Sequence, residues 1–202
     1  MRIEAPSIWK RLFGQTEILR ESSNIWGAVY TVAMVISFSL LVAFSKEYFR
    51  TPLHIPGHSA IYVIPLILWG RLVSKNRFGG TVIGCLSGGI MAFLSIGGGF
   101  ILAIPRYFVM GAVIDFLLWK KETREKIFVL VIAGALANAG KFLIGLVIAT
   151  LAGLPAFFIQ SGLTFSSLTH LAFGGIGGLL ASGVAKVARQ IRKASQNQRT
   201  VG

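Results

Sequence analysis

Residues 127–154 read IFVLVIAGALANAGKFLIGLVIATLAGL, and this stretch decides the class of the fold. It contains one ionisable side chain, Lys141. A helix needs about 20 apolar residues to cross about 30 Å of hydrocarbon, so the stretch predicts a transmembrane helix. Its apolar run is continuous rather than alternating, which favours a helix over the strand of a membrane barrel.

Five further apolar runs flank this one. They are predicted at Ile25–Phe44, Ala60–Leu72, Thr81–Ile96, Phe100–Trp119 and Phe165–Val187. The predicted fold is therefore an all-α integral membrane protein, a bundle of six transmembrane helices. We expect one membrane domain over residues 1–202, in which 1–24 form an N-terminal segment, 25–187 the bundle and 188–202 a basic tail. Both 1–24 and 188–202 are expected in the cytoplasm.

The composition supports this class and excludes others. Apolar residues make up 54% of the chain and charged residues 13%, with a mean hydropathy of +0.72. A soluble enzyme or a disordered chain carries about twice that share of charge or more. Cys85 is the single cysteine, so an intramolecular disulfide scaffold is excluded.

The net charge of +13 is explained mostly by topology. With the N-terminus inside, sixteen of the twenty Lys and Arg residues fall in cytoplasmic segments. These are Arg2, Lys10, Arg11, Arg20, Arg71, Lys75, Arg77, Lys120, Lys121, Arg124, Lys126, Lys186, Arg189, Arg192, Lys193 and Arg199. Lys46 and Arg50 fall outside, and Arg106 and Lys141 fall within spans. Nucleic-acid binding has no supporting motif.

Polar residues inside the spans are candidates for function, because ionisable groups are costly in lipid. By depth along the helices, several of them converge on the outer half of the membrane. The predicted substrate-binding residues are His54, His58, Trp69, Arg106, Asn138, Lys141 and His170. Such a pocket suits a ligand with a carboxylate, a phosphate or several hydrogen-bond acceptors. Trp69, with Tyr48 and Phe49 in the first loop, is expected to stack on a ring.

Structural alternatives stand beside these assignments. Arg106 and Lys141 are alternatively expected to reach the outer headgroups. His54 and His58 flank a Pro-Gly break and are more typical of loop residues than of metal ligands. His170 alone is typical of a satisfied core histidine. Whether the histidines or Cys85 bind a metal-containing ligand stays open.

Asp115 and the glycine stripes favour structural roles. Asp115 is the one acidic residue well inside the apolar runs, and we expect it to pair with Arg71 or Lys120 or to bind a backbone break. Small residues recur at four-residue spacing, for example Gly80, Gly84 and Gly88. This spacing lets helices approach closely within the bundle, or against a partner subunit.

No motif of a common catalytic class is present. The sequence lacks Walker A, HExxH and GxSxG patterns, and we expect no enzyme activity, no cofactor and no metal site.

In size and layout the whole chain resembles the substrate-binding S component of energy-coupling-factor (ECF) vitamin transporters. The local resemblance lies in Leu53-His54-Ile55-Pro56-Gly57-His58, followed by Pro65-Leu66, Gly70-Arg71, Gly79-Gly80 and Gly84. It implies a multi-pass protein of the prokaryotic cytoplasmic membrane, surrounded by lipid. Such a protein captures a vitamin or micronutrient from outside under its first loop. The implied partner is a transmembrane coupling subunit with two ATPases, beside which the protein topples to release its ligand.

A second hypothesis is a non-catalytic structural or assembly subunit of a larger membrane complex. The small-residue stripes and the lack of a sharp motif favour it. The sequence names neither the substrate nor the oligomeric state.

Overall fold

The computed structural model describes residues 8–49, 55–74, 76–96, 102–124, 126–153 and 156–201. These residues form six α-helices and one short 3-10 turn, and no strand occurs among them. The helices are α1 (Ile8–Tyr48), α2 (Ala60–Val73), α3 (Gly79–Phe93), α4 (Ala103–Leu117), α5 (Ile127–Leu151) and α6 (Ala156–Val201), with the 3-10 turn at Lys121–Thr123. The protein is all-helical, as the sequence predicts.

The chain divides into two compact units, Met1–Met34 and Val35–Gly202. In the first unit, α1 presents large exposed apolar side chains: Trp26 is 72% exposed and Tyr30 is 59% exposed. The Thr31 hydroxyl donates to the Gly27 carbonyl one turn back, at 2.9 Å. The second unit contains the buried core and every described residue of the predicted site.

Within the part of the chain that the structure describes, three helical segments are long and apolar enough to cross a membrane. They are Ile25–Tyr48, Ile127–Leu151 and Leu163–Val184. Their exposed apolar side chains suit a surrounding of lipid. The chain therefore has the character of a membrane protein.

The other three helices are shorter. α2 has 14 residues and α3 and α4 have 15 each, so each is only about 21–23 Å long. α2 is the most enclosed of them, because Val63, Ile64, Ile67 and Leu68 are fully buried. It packs against α3, α4, α5 and α6 and forms the centre of the core.

The first and last helices extend beyond the apolar runs that predict them. α1 begins at Ile8 rather than Ile25, and α6 spans Ala156–Val201 rather than Phe165–Val187. No proline interrupts either range. Hydropathy therefore marks the apolar part of each helix, whereas the helix itself continues through polar residues of good helix propensity. The predicted ends at Ile96 and Phe100 also shift, to Phe93 and Ala103.

Within the second unit, neighbouring helices alternate in direction. α3 and α4 are antiparallel, because Gly80 lies beside Gly111 and Gly88 beside Ile104. α5 and α6 are antiparallel too, since Asn138 contacts His170 while the earlier Leu130 lies beside Gly178.

α2 runs parallel to α6. Its start, Ala60, lies beside Gly177, and the later Trp69 bonds to Ala181. The even-numbered helices therefore run one way and α3 and α5 run the other way.

The predicted glycine packing within the bundle is confirmed for α3 and α6. A Cβ on Gly88 would lie 2.8 Å from the Ile104 Cα, and one on Gly178 would lie 2.8 Å from the Val131 Cα. Since real Cβ atoms do not approach backbone so closely, these positions require glycine. At those contacts the glycine stripes pack helices of this chain against each other.

Candidate functional site

Two groups of buried polar side chains lie at opposite ends of the second unit. One surrounds Asp115, near the end of α4. The other surrounds Tyr107, near the start of the same helix. Because the helices alternate in direction, each end also gathers residues from several other elements.

The Asp115 carboxylate joins α2, α3 and α4. Its oxygens accept the backbone N–H groups of Gly80 at 3.1 Å and Thr81 at 2.7 Å, together with the Thr81 hydroxyl at 2.7 Å. The Arg71 guanidinium pairs with it, Nε to Oδ1, at 2.5 Å. A carboxylate at the first turn of α3 also faces the positive end of that helix.

This geometry confirms the predicted pairing of Asp115 with Arg71. Arg71 Nη2 also donates to the Leu118 carbonyl at 3.4 Å, and Arg124 Nε donates to the same carbonyl at 3.0 Å. Arg71 is fully buried and Asp115 is 3% exposed. The group ties helix ends together and needs no ligand to explain the carboxylate.

The second group, named here the basic cluster, consists of Lys46, Arg106 and Lys141. Two of its ammonium groups lie against one aromatic ring: Lys141 Nζ is 5.2 Å and Lys46 Nζ is 5.8 Å from the Tyr107 ring centroid. Such cation–π contacts partly offset the loss of water around an ammonium group. The charges acting on Lys141 are those of Lys46 and Arg106, and both are positive.

Several polar atoms at this end are buried without a hydrogen-bond partner. They are Arg106 Nε, Tyr107 Oη and Asn138 Oδ1. Tyr107 is 1% exposed and Asn138 is fully buried. Arg71 Nη1 also lacks a hydrogen-bond partner in the Asp115 group, so unmatched atoms occur at both ends. At the Tyr107 end they lie on three residues, one of them an acceptor, and buried polar groups of this kind are usually bonded.

Asn138 ties three elements together beside the basic cluster. Its Nδ2 donates to the His170 carbonyl of α6 at 2.9 Å and approaches the Gly57 carbonyl at 3.5 Å. Gly57 has a φ of +83°, and a Cβ there would meet the His170 backbone and ring at 3.0 Å. The turn before α2 is therefore seated directly on His170, and only glycine fits at its contact.

Lys141 reaches the same turn. Its ammonium group lies 3.5 Å from the Ser59 hydroxyl. His58, on this turn, donates from Nδ1 to the Ile55 carbonyl at 2.8 Å. The predicted residues His58, Asn138, Lys141 and His170 are thus brought to one end of the unit.

His170 has the contacts of a core residue. Its Nδ1 donates to the Ser166 carbonyl at 2.7 Å, and its ring lies 4.8 Å from the Phe142 ring. The contacts of the ring therefore fit the alternative given above, that His170 is a core histidine with its hydrogen bond satisfied. Its backbone carbonyl contacts the candidate site, by accepting the hydrogen bond from Asn138.

Arg106 lies against α5. A Cβ on Gly145 would be in ordinary contact with the guanidinium, 3.5 Å from Nε and 3.6 Å from Nη2. The Arg106 head group therefore faces α5 at Gly145, with space there that a Cβ would fill without a clash. Gly145 and Lys141 are one helical turn apart on α5, so Arg106, from α4, lies within about one turn of Lys141 along that helix.

Trp69 is not part of this group. Its Nε1 donates to the Ala181 carbonyl of α6 at 3.1 Å. The ring lines a separate apolar groove of about 310 Å³, together with Phe49, Tyr62, Pro65, Leu66 and Leu180. His54, the remaining predicted residue, lies outside the described residues.

Sequence reasoning missed Lys46 and Tyr107. Lys46 was assigned to the first outside loop because the apolar run stops at Phe44, but α1 continues to Tyr48 and carries it into the bundle. One feature of the sequence could have singled out Lys46: it is one of only two cations predicted on the outer side. Tyr107 adjoins Arg106, but its orientation towards the cations is not visible in sequence.

No family model matches the chain, and no curated protein and no solved structure matches it. Among the described residues, no three His, Cys, Asp or Glu side chains gather in a group that would hold a metal ion. The chemistry available at this end is that of ammonium, guanidinium, phenol and amide groups. These groups bind and orient a polar ligand.

Proposed function

We propose that this protein is a membrane substrate-binding subunit for uptake of a small vitamin-like or micronutrient compound. Its ligand binds where the basic cluster adjoins Tyr107 and Asn138. The supporting observation is that α1, α4 and α5 each contribute a cation to this end, beside polar atoms that lack partners. Burial of like charges is costly, so an arrangement of this kind serves a ligand better than it serves packing.

The donors and acceptors of these atoms indicate which groups a ligand would need. Ammonium groups and Arg106 Nε are donors, and the Tyr107 hydroxyl donates or accepts. Asn138 Oδ1 is an acceptor. A compound with both acceptor oxygens and an N–H or O–H donor would satisfy them all.

We further propose six membrane crossings with both termini in the cytoplasm and the basic cluster facing outside. The alternation of helix directions supports an even number of crossings, and the distribution of Lys and Arg supports the orientation. The short helix α2 is then the most enclosed, while α3 and α4 present exposed apolar side chains such as Phe93 and Phe116 to the lipid. The S component of an ECF transporter in a prokaryotic cytoplasmic membrane is the class with this layout, with a coupling subunit and two ATPases as its partners.

Thiol labelling tests the orientation. In a Cys85→Ser background, a cysteine at Tyr48, which is 86% exposed, lies at the end of the basic cluster. A cysteine at Lys126 lies at the opposite end, at the start of α5. A membrane-impermeant maleimide is expected to label Tyr48→Cys in intact cells, and Lys126→Cys only after permeabilisation. The reverse pattern would contradict the orientation.

Ligand binding tests the function. The purified chain is expected to carry a small molecule detectable by native mass spectrometry, and adding that molecule back should raise the thermal midpoint. Lys141→Ala is expected to weaken binding by about tenfold or more while the bundle stays folded, because a charge-assisted contact is lost. Lys126→Ala is the matched control.

Unchanged affinity in Lys141→Ala would remove Lys141 from the site. A co-purifying protein without any small molecule would instead favour the structural or assembly subunit.

A further inference from the structure

The charges at the basic cluster do not balance within the described residues. Three cations gather there: Lys141 is close to the positive charges of Lys46 and Arg106, and Glu47 is the acidic neighbour of Lys46. Asp115 is engaged at the opposite end with Arg71 and the start of α3. Among the described residues the group therefore gathers more basic than acidic side chains, in a setting that disfavours unbalanced charge.

The geometry around Tyr107 shows where the cations of the cluster meet. Two ammonium groups and a buried phenol converge, and the phenol oxygen has no partner. Arg106 Nε, on the neighbouring residue, is a second donor without a partner. Donors that converge from three helices onto one region are the complement of a group whose oxygens carry negative charge.

We propose that the ligand carries a doubly charged oxyanion, such as a phosphate monoester or a pair of carboxylates. This group is bound by Lys46, Arg106 and Lys141, with the Tyr107 hydroxyl donating to it. The inference rests on the proposed function and adds the chemical class of the ligand. A dianion neutralises the excess charge that a neutral or singly charged compound would leave.

A phosphate group has two possible sources here, a soluble compound and a lipid headgroup, and we assign it to a soluble compound. Asn138 Oδ1, which needs a donor, lies deeper than the cluster along α5 and is fully buried. Once the basic cluster holds the dianion, Asn138 Oδ1 needs a separate donor group on the same compound, and the dianionic headgroup of phosphatidic acid carries none. The proposal therefore requires binding without lipid.

The test uses the full chain purified in a nonionic detergent with chloride as the only anion. The probes are inorganic phosphate and succinate as dianions, against acetate and chloride at matched ionic strength. We expect saturable thermal stabilisation by a dianion and none by acetate or chloride. Phosphate also stabilises proteins generally by exclusion from their surface, and that part is not saturable.

Variants separate specific dianion binding from the general stabilisation by phosphate. Lys141→Met and Lys46→Met should each weaken dianion binding by about tenfold or more, and Tyr107→Phe should weaken it by a few fold. Lys126→Met, an exposed position outside the cluster, should leave it unchanged. Without ligand, Lys141→Met should be at least as stable as the wild type, because it removes a half-buried charge that lies near two other cations.

Several outcomes would overturn the proposal. These are equal stabilisation by acetate, equal responses in all variants, or saturation only by phosphatidic acid in lipid nanodiscs. A neutral or cationic compound that co-purifies and binds, with no response to dianions, would overturn this inference and leave the proposed function standing. No binding of any small molecule would overturn both.

Discussion

At the scale of single residues, the two buried polar groups differ in how completely they are satisfied. The Asp115 carboxylate accepts three hydrogen bonds and pairs with Arg71, so its charge is matched inside the protein. Tyr107 Oη and Arg106 Nε lack partners although they are buried. The fold therefore explains the Asp115 carboxylate, although Arg71 Nη1 beside it also lacks a hydrogen-bond partner. At Tyr107 the phenol oxygen itself is unmatched, which favours a ligand there.

Removal of Asp115 should destabilise the protein strongly. Asp115→Ala leaves Arg71 buried without its counter-ion and the first turn of α3 without its acceptor. We expect the free energy of unfolding to fall by about 3–5 kcal/mol. A lower thermal or denaturant midpoint of the purified variant in detergent checks this. Arg71→Met with Asp115→Asn should recover much of that loss, since no unpaired charge remains.

The same double variant separates structure from function. We expect it to bind the co-purifying ligand as the wild type does, because the pair lies at the opposite end from the basic cluster. A folded double variant that has lost ligand binding would show that Asp115 takes part in function.

At the scale of the elements, glycine decides how closely α3 and α4 approach. Gly84 packs against the Tyr107 carbonyl, and a Cβ there would fall 3.0 Å from the carbonyl carbon. Gly89, on the same helix, has nothing within 4 Å of its Cβ position. The contact at Gly84 sets the position of α4 where that helix carries Arg106 and Tyr107.

Alanine at these two glycines should therefore have opposite effects. Gly84→Ala forces backbone away from backbone and should cost about 1–3 kcal/mol of stability, with weaker ligand binding as Tyr107 shifts. Gly89→Ala meets open space and should be neutral or slightly stabilising, because alanine favours the helix. Thermal midpoints of the two purified variants check this, and equal destabilisation would contradict the packing described.

At the scale of the whole molecule, the sequence predicts the number and type of elements well. Continuous apolar runs identify six helices because a long run without alternation is typical of a helix that is buried or crosses a membrane. The ends of α1 and α6 could not be predicted this way, since polar residues such as Arg20 and Lys193 continue a helix as readily as apolar ones. Hydropathy reports the solvent around a helix, and not its length.

The site was predicted in part for a related reason. Depth along a helix follows from residue number, so Asn138 and Lys141 could be placed at one level. The direction in which a side chain points depends on neighbouring helices, so a single sequence does not display that Trp69 bonds to α6. Nor does it display that Lys46 and Lys141 meet at the Tyr107 ring. Contacts between elements distant in the chain are set by packing, which a single sequence does not display.

The central claim is that the basic cluster holds a small soluble compound. An experimental map of the purified chain, prepared without added ligand, tests it most directly. We predict density for a small molecule in contact with Lys46, Arg106, Tyr107 and Lys141, absent in a matched map of Lys141→Met. A well-resolved map in which those side chains contact only one another, or only lipid headgroups, would contradict the claim.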